Sequence, residues 1–257
     1  MPRLLRAGAA VLAGLLAAAC GHSAPANRAS GHAASAPCRS ATLCGAAASN
    51  YVAASHAWGP QLSSFQGTQA PLYLPTWRPT PPPRACVGMG GSAGPVSYQA
   101  SLWVAPCNGA AGGSALLDRW VLSGGTASAL GSAPAGTAPT GAGTAESLGP
   151  GIHGTLYGAG AGRPSPVVAW RRQGWSYEVT GTAAPGALIA AARHLAASAP
   201  AAPVPGVSGG SVVDEAGGAQ AGIWILWQDG AWSYRLRGPD ASVFAMAASL
   251  LLVPQID

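Results

Sequence analysis

Two copies of the pattern Gly-x-Ser-x-Gly come nearest to a catalytic signature in this chain. Residues 90–94 carry Ser92 at the centre, and residues 206–210 carry Ser208. In serine hydrolases the pattern places a nucleophilic Ser on a sharp turn between a strand and a helix. Neither copy follows a hydrophobic strand or opens a predicted helix, and a chain with 37 Gly matches the pattern readily by chance. An envelope serine hydrolase using Ser92 or Ser208 is therefore kept only as the alternative function.

Other patterns of catalysis and metal binding give no signal. The chain has no Lys, which excludes a Walker-type phosphate site and a Schiff-base mechanism. None of the five His lies at the spacing of a metal site. Asp214 and Glu215 are adjacent, so on a strand their carboxylates would point to opposite faces. We expect no catalytic residues, no metal and no cofactor.

The first 20 residues predict where the protein goes. Arg3 and Arg6 precede an uncharged apolar run, residues 7–19, which ends in Leu-Leu-Ala-Ala-Ala-Cys20. This stretch resembles a bacterial lipoprotein signal with its lipobox, although Ala17 stands where Leu is usual. The resemblance implies a cleaved signal peptide, residues 1–19, and lipidation of Cys20 with fatty acyl chains such as palmitate. An ordinary secretory signal, with Cys20 incidental, is the alternative.

Four further cysteines form an even set: Cys38, Cys44, Cys86 and Cys107. An even number in an exported chain favours disulfides. We predict the nearest-neighbour pairing, Cys38 with Cys44 and Cys86 with Cys107, although the spacing also allows the other pairings. Metal ligation is the alternative, but the chain has no Cys-x-x-Cys and no His at ligand spacing from a Cys.

Aromatic side chains are the remaining candidates for ligand contact. The chain has nine Trp and six Tyr, and such rings suit contact with carbohydrate, peptide or lipid. Most are expected in the core. Trp77 and Trp103 are the candidates for ligand contact, because Pro-flanked and outward-facing strand positions tend to stay accessible.

An internal repeat organises the second half of the chain. Residues 167–181 and 224–238 share the frame Trp-x4-Trp-Ser-Tyr-x3-Gly. Each copy predicts a β-hairpin with one aromatic and one wet face, joined by a turn, and Asp229-Gly230 is a type I′ signature. The aromatic face places six side chains in the core: Trp170, Trp175, Tyr177, Trp227, Trp232 and Tyr234.

A short Ala-rich helix is predicted after each hairpin, opened by Pro185 and by Pro239. Such helices are marginal alone in water, so each should dock on the aromatic face of its hairpin. The predicted fold class is therefore α+β: an antiparallel sheet of repeated β-hairpin–helix units, preceded by a disordered tether.

Composition divides the chain further. The predicted parts are the signal peptide (1–19), a low-complexity tether (20–57), a Pro-rich segment with short strands near 96–104 and 115–122 (58–123), a Gly/Ala loop (124–151), repeat 1 (152–199), a linker (200–210) and repeat 2 (211–257).

Charge excludes one class of partner. Only 8% of the residues are charged, about a third of the usual share, and the formal net charge is +5. A nucleic-acid binder needs a dense basic patch, which this chain lacks. Much of the excess of Ala, Gly and Arg is explained by a GC-rich genome.

The hairpin–helix pattern, with its Pro-rich lead-in and the run Ala247-Ala248-Ser249-Leu250, resembles uncharacterised domains of exported, anti-sigma-associated bacterial proteins. The resemblance implies an envelope location and transfers no site. We expect a non-enzymatic lipoprotein on the extracytoplasmic face of the cell membrane, with an envelope protein or glycan as partner. A purely structural surface protein is the other alternative.

Overall fold

The computed structural model describes residues 50, 52–107, 116–130, 139, 141–160, 164–217 and 221–253. The predicted signal peptide, Cys20, Cys38 and Cys44 lie outside these residues. The helices are α1 (residues 52–58), α2 (Ala127–Leu130), α3 (Pro185–Ser198) and α4 (Ser242–Ala248), with a 3-10 helix at Gly59–Phe65. The strands are β1 (Leu72–Pro75), β2 (Ala85–Gly94), β3 (Ser97–Pro106), β4 (Asp118–Thr126), β5 (Thr144–Gly149), β6 (Ile152–Tyr157), β7 (Val167–Arg172), β8 (Trp175–Thr180), β9 (Gly210–Glu215), β10 (Gly222–Asp229), β11 (Trp232–Gly238) and β12 (Leu250–Val253). Within these ranges, no helix is both long and apolar enough to cross a membrane.

Ten strands form one mixed sheet in the order β2-β3-β4-β11-β10-β9-β8-β7-β6-β5. Neighbouring strands run antiparallel except β8 and β9, which are parallel. A parallel pair needs a crossover connection, and α3 lies in the connection between these two strands. β1 and β12 form a separate antiparallel pair.

The predicted fold class is wrong. The chain is mostly β and builds one large mixed sheet, not a series of antiparallel hairpin–helix units. The reason is that β9 lies between the two hairpins and pairs with both of them. In addition, β4 pairs with β11 across more than a hundred residues of chain, which local periodicity does not encode.

Both predicted hairpins are confirmed, as β7–β8 and β10–β11. In the first turn Gln173 and Gly174 both have positive φ, 47° and 83°, as a type I′ turn requires. The type I′ prediction is wrong for the second turn. Asp229 pairs with Trp232, so the turn residues are Gly230 and Ala231. Only Gly230 has positive φ, 58°, which is the type II′ pattern.

Each hairpin carries the same cross-strand aromatic pair on its core face. Trp170 stacks on Tyr177 with ring centroids 5.3 Å apart, and Trp227 stacks on Tyr234 at 5.2 Å. Burial raises the pKa of Tyr177 to about 12, so its hydroxyl stays a donor at neutral pH. That hydroxyl donates to the Pro200 carbonyl, and the Tyr234 hydroxyl donates to the Pro71 carbonyl.

Buried aromatic tips hold β1 in place. The Tyr98 hydroxyl accepts a hydrogen bond from the Tyr73 N–H at 2.9 Å and donates to the Tyr73 carbonyl at 3.2 Å. The Trp58 indole N–H donates to the Pro75 carbonyl at 2.9 Å. The Tyr73 ring meets Trp227 and Tyr234 edge to face. β1 is therefore joined to the sheet by side chains.

Two predicted segment boundaries differ from the structure. The tether was expected to run to residue 57, but residues 52–58 form α1, and Ala54 and Trp58 are buried in the core. The loop expected over 124–151 contains the end of β4, α2 and the whole of β5. Both segments are rich in small residues and carry few large apolar ones, so neither gave a periodic signal.

The predicted disulfide Cys86–Cys107 is confirmed. It joins the start of β2 to the residue that follows β3, so it links two antiparallel neighbours. The two cysteines are separated by 21 positions in the sequence.

Glycines give the large aromatic rings their room. A Cβ placed on Gly91 of β2 would lie 2.1 Å from Phe65 Cζ. A Cβ on Gly124 of β4 would lie 2.4 Å from the Tyr98 ring. Because real Cβ contacts are never this short, these positions accept only glycine unless the ring moves.

We predict that Gly91→Ala destabilises the protein by about 1–3 kcal/mol through overpacking. Phe65 cannot move aside easily, because Trp58 and Tyr98 contact its ring at 5.6 and 6.1 Å. Thermal unfolding measures the effect. Gly94→Ala in the same strand is the control, because its Cβ would meet only the Ser97 carbonyl, at 4.0 Å. Equal changes in Tm for the two variants would contradict the steric explanation.

Candidate functional site

One face of the sheet carries a row of eight side chains, seven of which are polar. Residues paired across neighbouring strands point to the same face, so the register shows which side chains are adjacent. The row crosses eight neighbouring strands from β2 to β7. Its members in order are Ser92, Gln99, Ser123, Arg235, Leu226, Ser211, Ser176 and Arg171. We call this set the polar row and the face that carries it the polar face.

The polar row is long and runs perpendicular to the strands. Strands lie about 4.8 Å apart, so the row extends over about 34 Å. Leu226 is its only apolar member. Strand alternation sends the neighbouring residues Trp227 and Tyr234 to the opposite, core face, where they are buried.

A cavity of about 450 Å³ lies at the middle of the row, over β9, β10 and β11. Ser211, Gln228, Ser233 and Arg235 supply its polar groups, and α2 lines it with Ala127 and Leu130. The polar groups come from three neighbouring strands, so their positions are fixed by the sheet ladder.

Arg235 is the central cation of this face. Its side chain is half-buried, and Nη2 donates to the Leu130 carbonyl of α2. In the part of the chain that the structure describes, no acidic side chain pairs with Arg235. The remaining guanidinium donors are therefore available to an anionic group.

Two more cavities lie along the same row. One, of about 370 Å³, shares Arg235 and Leu130 with the central cavity and reaches Ser92, Gln99 and Ser123. The other, of about 280 Å³, is lined by Arg171, Ser176, Glu178, His153 and Tyr157, with Pro139 beside them. A hydrogen bond of 2.8 Å between the hydroxyls of Ser176 and Ser211 joins this end of the row to the centre.

The acidic residues near the row do not form a catalytic pair. Glu178 is a member of the third cavity and is only 3% exposed. Asp214 and Glu215 point to opposite faces of β9, as strand alternation predicts: Glu215 accepts from the Trp224 indole N–H at 3.2 Å, whereas Asp214 pairs with Ile223 on the core face. Among the described residues, no group of three or more His, Cys, Asp or Glu could hold a metal ion.

The six hairpin aromatics lie on the core side of the molecule. Trp170, Trp175, Tyr177, Trp227 and Tyr234 are buried, and Trp232 is half-buried against the core. Four of them also line cavities along the polar row: Trp227 and Tyr234 the central one, and Trp170 and Tyr177 the third.

Trp77 and Trp103, the two aromatics proposed for ligand contact, are not brought together. Trp77 packs edge to face on Trp120 at 5.4 Å and belongs to the core side. Trp103 lies on the polar face, where its ring covers Gly88 and Gly90 of β2. Both rings are half-buried, and Trp103 lies outside all three cavities.

The two serine motifs lie in different settings. Ser92 is an exposed residue inside β2, and Ser208 is exposed in the loop before β9. Neither stands on a turn between a strand and a helix. The run 149–154, whose glycines match the pattern of dinucleotide-binding loops, forms the β5–β6 hairpin, with no helix after it.

Sequence reasoning did not single out Arg235, Ser211 or Gln228. The alternation Ser233, Arg235, Arg237 did predict a wet face for the second hairpin. What the sequence could not supply was the register that places Arg235 beside Ser123 on one side and Leu226 on the other.

Asp214 supplies a test of the electrostatics around β9. Burial raises the pKa of its carboxyl, and the His194 imidazole opposes that shift. A carboxyl whose folded pKa lies above its unfolded value of about 3.9 costs stability once the pH rises through that window. Asp214→Asn should therefore raise the free energy of unfolding at pH 7 by less than about 1 kcal/mol, because the group is partly solvated, and the accompanying gain in Tm should vanish near pH 4.

Glu215→Gln is the control for this prediction. Its carboxylate lies on the opposite face, accepts a hydrogen bond from Trp224 and makes the smallest contribution to the raised pKa of Asp214, so a smaller gain than that of Asp214→Asn is expected. Thermal unfolding from pH 4 to pH 7 measures both variants. A gain for Asp214→Asn that does not change with pH would contradict the assignment to ionisation.

Comparison with known proteins adds no relative to this picture. No protein family, no curated protein and no solved structure matches the chain.

Proposed function

We propose that the chain is an exported, non-enzymatic binding protein of the bacterial envelope, anchored through a lipid on Cys20, and that it binds its ligand on the polar face. The observation that carries the binding part is the polar row, along which three cavities open. The anchoring part rests on the apolar run that ends at Cys20. The disulfide Cys86–Cys107 supports an oxidising compartment.

Binding accounts for the cavities better than serine hydrolysis does. A serine nucleophile needs a base within hydrogen-bond reach. The cavity that contains Ser92 has no His, Asp or Glu among its described lining residues. Its side chains are hydroxyl, amide and guanidinium groups, which can hold a polar ligand but cannot activate Ser92.

The proposed lipid anchor is tested by measuring whether the protein incorporates a labelled fatty acid. Wild-type protein expressed in a bacterial host fed labelled palmitate should incorporate the label and sediment with membranes. Cys20→Ala should lose both properties, because no other side chain at the end of the signal can form the thioether. Cys38→Ala is the matched control and should keep the label. Label retained by Cys20→Ala would show that the anchor assignment is wrong.

Ligand binding on the polar face is tested in intact cells. A photo-cross-linking amino acid in place of Gln228, which is exposed and lines the central cavity, should give a defined adduct. The same amino acid in place of Ala190, which is exposed on α3, is the control and should give none. Absence of adducts from both positions, or equal adducts from both, would favour the purely structural surface protein.

A further inference from the structure

We propose that the polar row binds an extended acidic glycan, a chain of sugar units that includes uronate carboxylates, with one carboxylate held by Arg235. This inference rests on the proposed function, because it needs the polar face to be a binding site. It adds the chemical class of the ligand and the residue that recognises its charge.

The shape of the site fits a chain laid across the strands. The polar row extends over about 34 Å, and its cavities of about 370, 450 and 280 Å³ follow one another along it. Pockets for single compact ligands have volumes of about 300–1,000 Å³, so a compact molecule would occupy one cavity and leave the others empty. A linear oligomer can fill all three.

The chemistry of the row fits sugar hydroxyls. Ser hydroxyls and Gln amides both donate and accept hydrogen bonds, as sugar hydroxyls do. Ser211, Ser233 and Gln228 present three such groups in the central cavity alone, beside the apolar surface of Leu226. That mixture of donors, acceptors and a small apolar patch suits a pyranose ring.

A peptide fits this face less well. Extended peptides are recognised chiefly by main-chain hydrogen bonds at the free edge of a sheet. The inner members of the polar row, from Gln99 to Ser176, lie on strands that are paired on both sides. Their main-chain groups are used within the ladder, so the face offers side chains only.

The charge of the row fits a sparsely charged acid. Arg235 and Arg171 are its two cations, separated by four strand spacings or about 19 Å. The row itself contains no acidic residue, and the one carboxylate that lines a cavity along it, Glu178 beside Arg171, is only 3% exposed. A half-buried guanidinium without an acidic neighbour gains a charge-assisted hydrogen bond from an incoming carboxylate. Polyanions of high charge density need many more cations than two.

Arg237 provides a matched control. It lies two residues from Arg235 on the same strand and the same face. Its guanidinium is already engaged, 5.0 Å above the Trp224 ring, and Nη2 donates to the Ala221 carbonyl at 3.5 Å. It does not line any of the three cavities. Arg237→Gln therefore removes one positive charge from the protein, as Arg235→Gln does, but leaves both cations of the polar row in place.

The experiment is calorimetric titration of the full-length lipoprotein in detergent with hexagalacturonate, galacturonate monomer, maltohexaose and poly(glycerol phosphate). Hexagalacturonate should bind most tightly, and its affinity should fall as salt rises. Arg235→Gln should weaken binding by about tenfold or more, since a charge-assisted hydrogen bond contributes about 1.5–3 kcal/mol. Arg237→Gln should change the affinity by less than about twofold. Gln228→Ala, which removes an exposed side chain of the central cavity, should weaken binding severalfold.

The outcomes separate this inference from the proposed function. No binding of hexagalacturonate, together with a cross-linked adduct at position 228, overturns the acidic glycan and leaves the binding function standing. No binding and no adduct overturn both. Equal binding of maltohexaose, or equal loss in Arg235→Gln and Arg237→Gln, overturns the role of Arg235. Binding of poly(glycerol phosphate) without binding of hexagalacturonate overturns the assignment to carboxylates.

Discussion

The fold depends on buried aromatic side chains whose polar tips bind the main chain of the segment before β2. Tyr98 bonds both main-chain groups of Tyr73, while Tyr234 and Trp58 bond the carbonyls of Pro71 and Pro75. A buried tyrosine or tryptophan supplies a large apolar area and one hydrogen-bonding group at the same time. A chain with few large aliphatic residues obtains in this way both a core and the satisfaction of buried main-chain groups.

Glycine residues in the strands leave the space that these aromatic rings occupy. Where a strand passes beneath an aromatic side chain it carries Gly, as Gly91 does under Phe65 and Gly124 does between Tyr98 and Tyr234. The packing explains why glycine stands at these positions. On the polar face, four positions of the row carry the short side chain of serine, where longer charged side chains are usual: Ser92, Ser123, Ser211 and Ser176.

The two hairpins and their aromatic core could be predicted from sequence because the signal is local. Trp170 and Tyr177 alternate with polar residues, and so do Trp227 and Tyr234. Strand β2 could not be predicted in the same way, because its many Gly, Ala and Ser residues give no contrast between a buried and an exposed face. Strand β9 carries Val212 and Val213 side by side, so its apolar residues do not alternate with polar ones. The polar row could not be predicted from the sequence for a different reason. Its members are ordinary residues on eight strands, and only the register makes Arg235 the neighbour of Ser123 and Leu226.

The strand order has a consequence for how the molecule folds. Strands β2–β4 pair with one another, and so do β5–β8, from nearby parts of the chain. The two groups meet only through β9, β10 and β11, which are synthesised late, and β1 is completed by β12, the last strand described. The C-terminal quarter of the chain thus joins the two groups of strands into one sheet. Such dependence on distant pairings slows folding. The two groups of strands therefore stay apart until the C-terminal strands are available to join them.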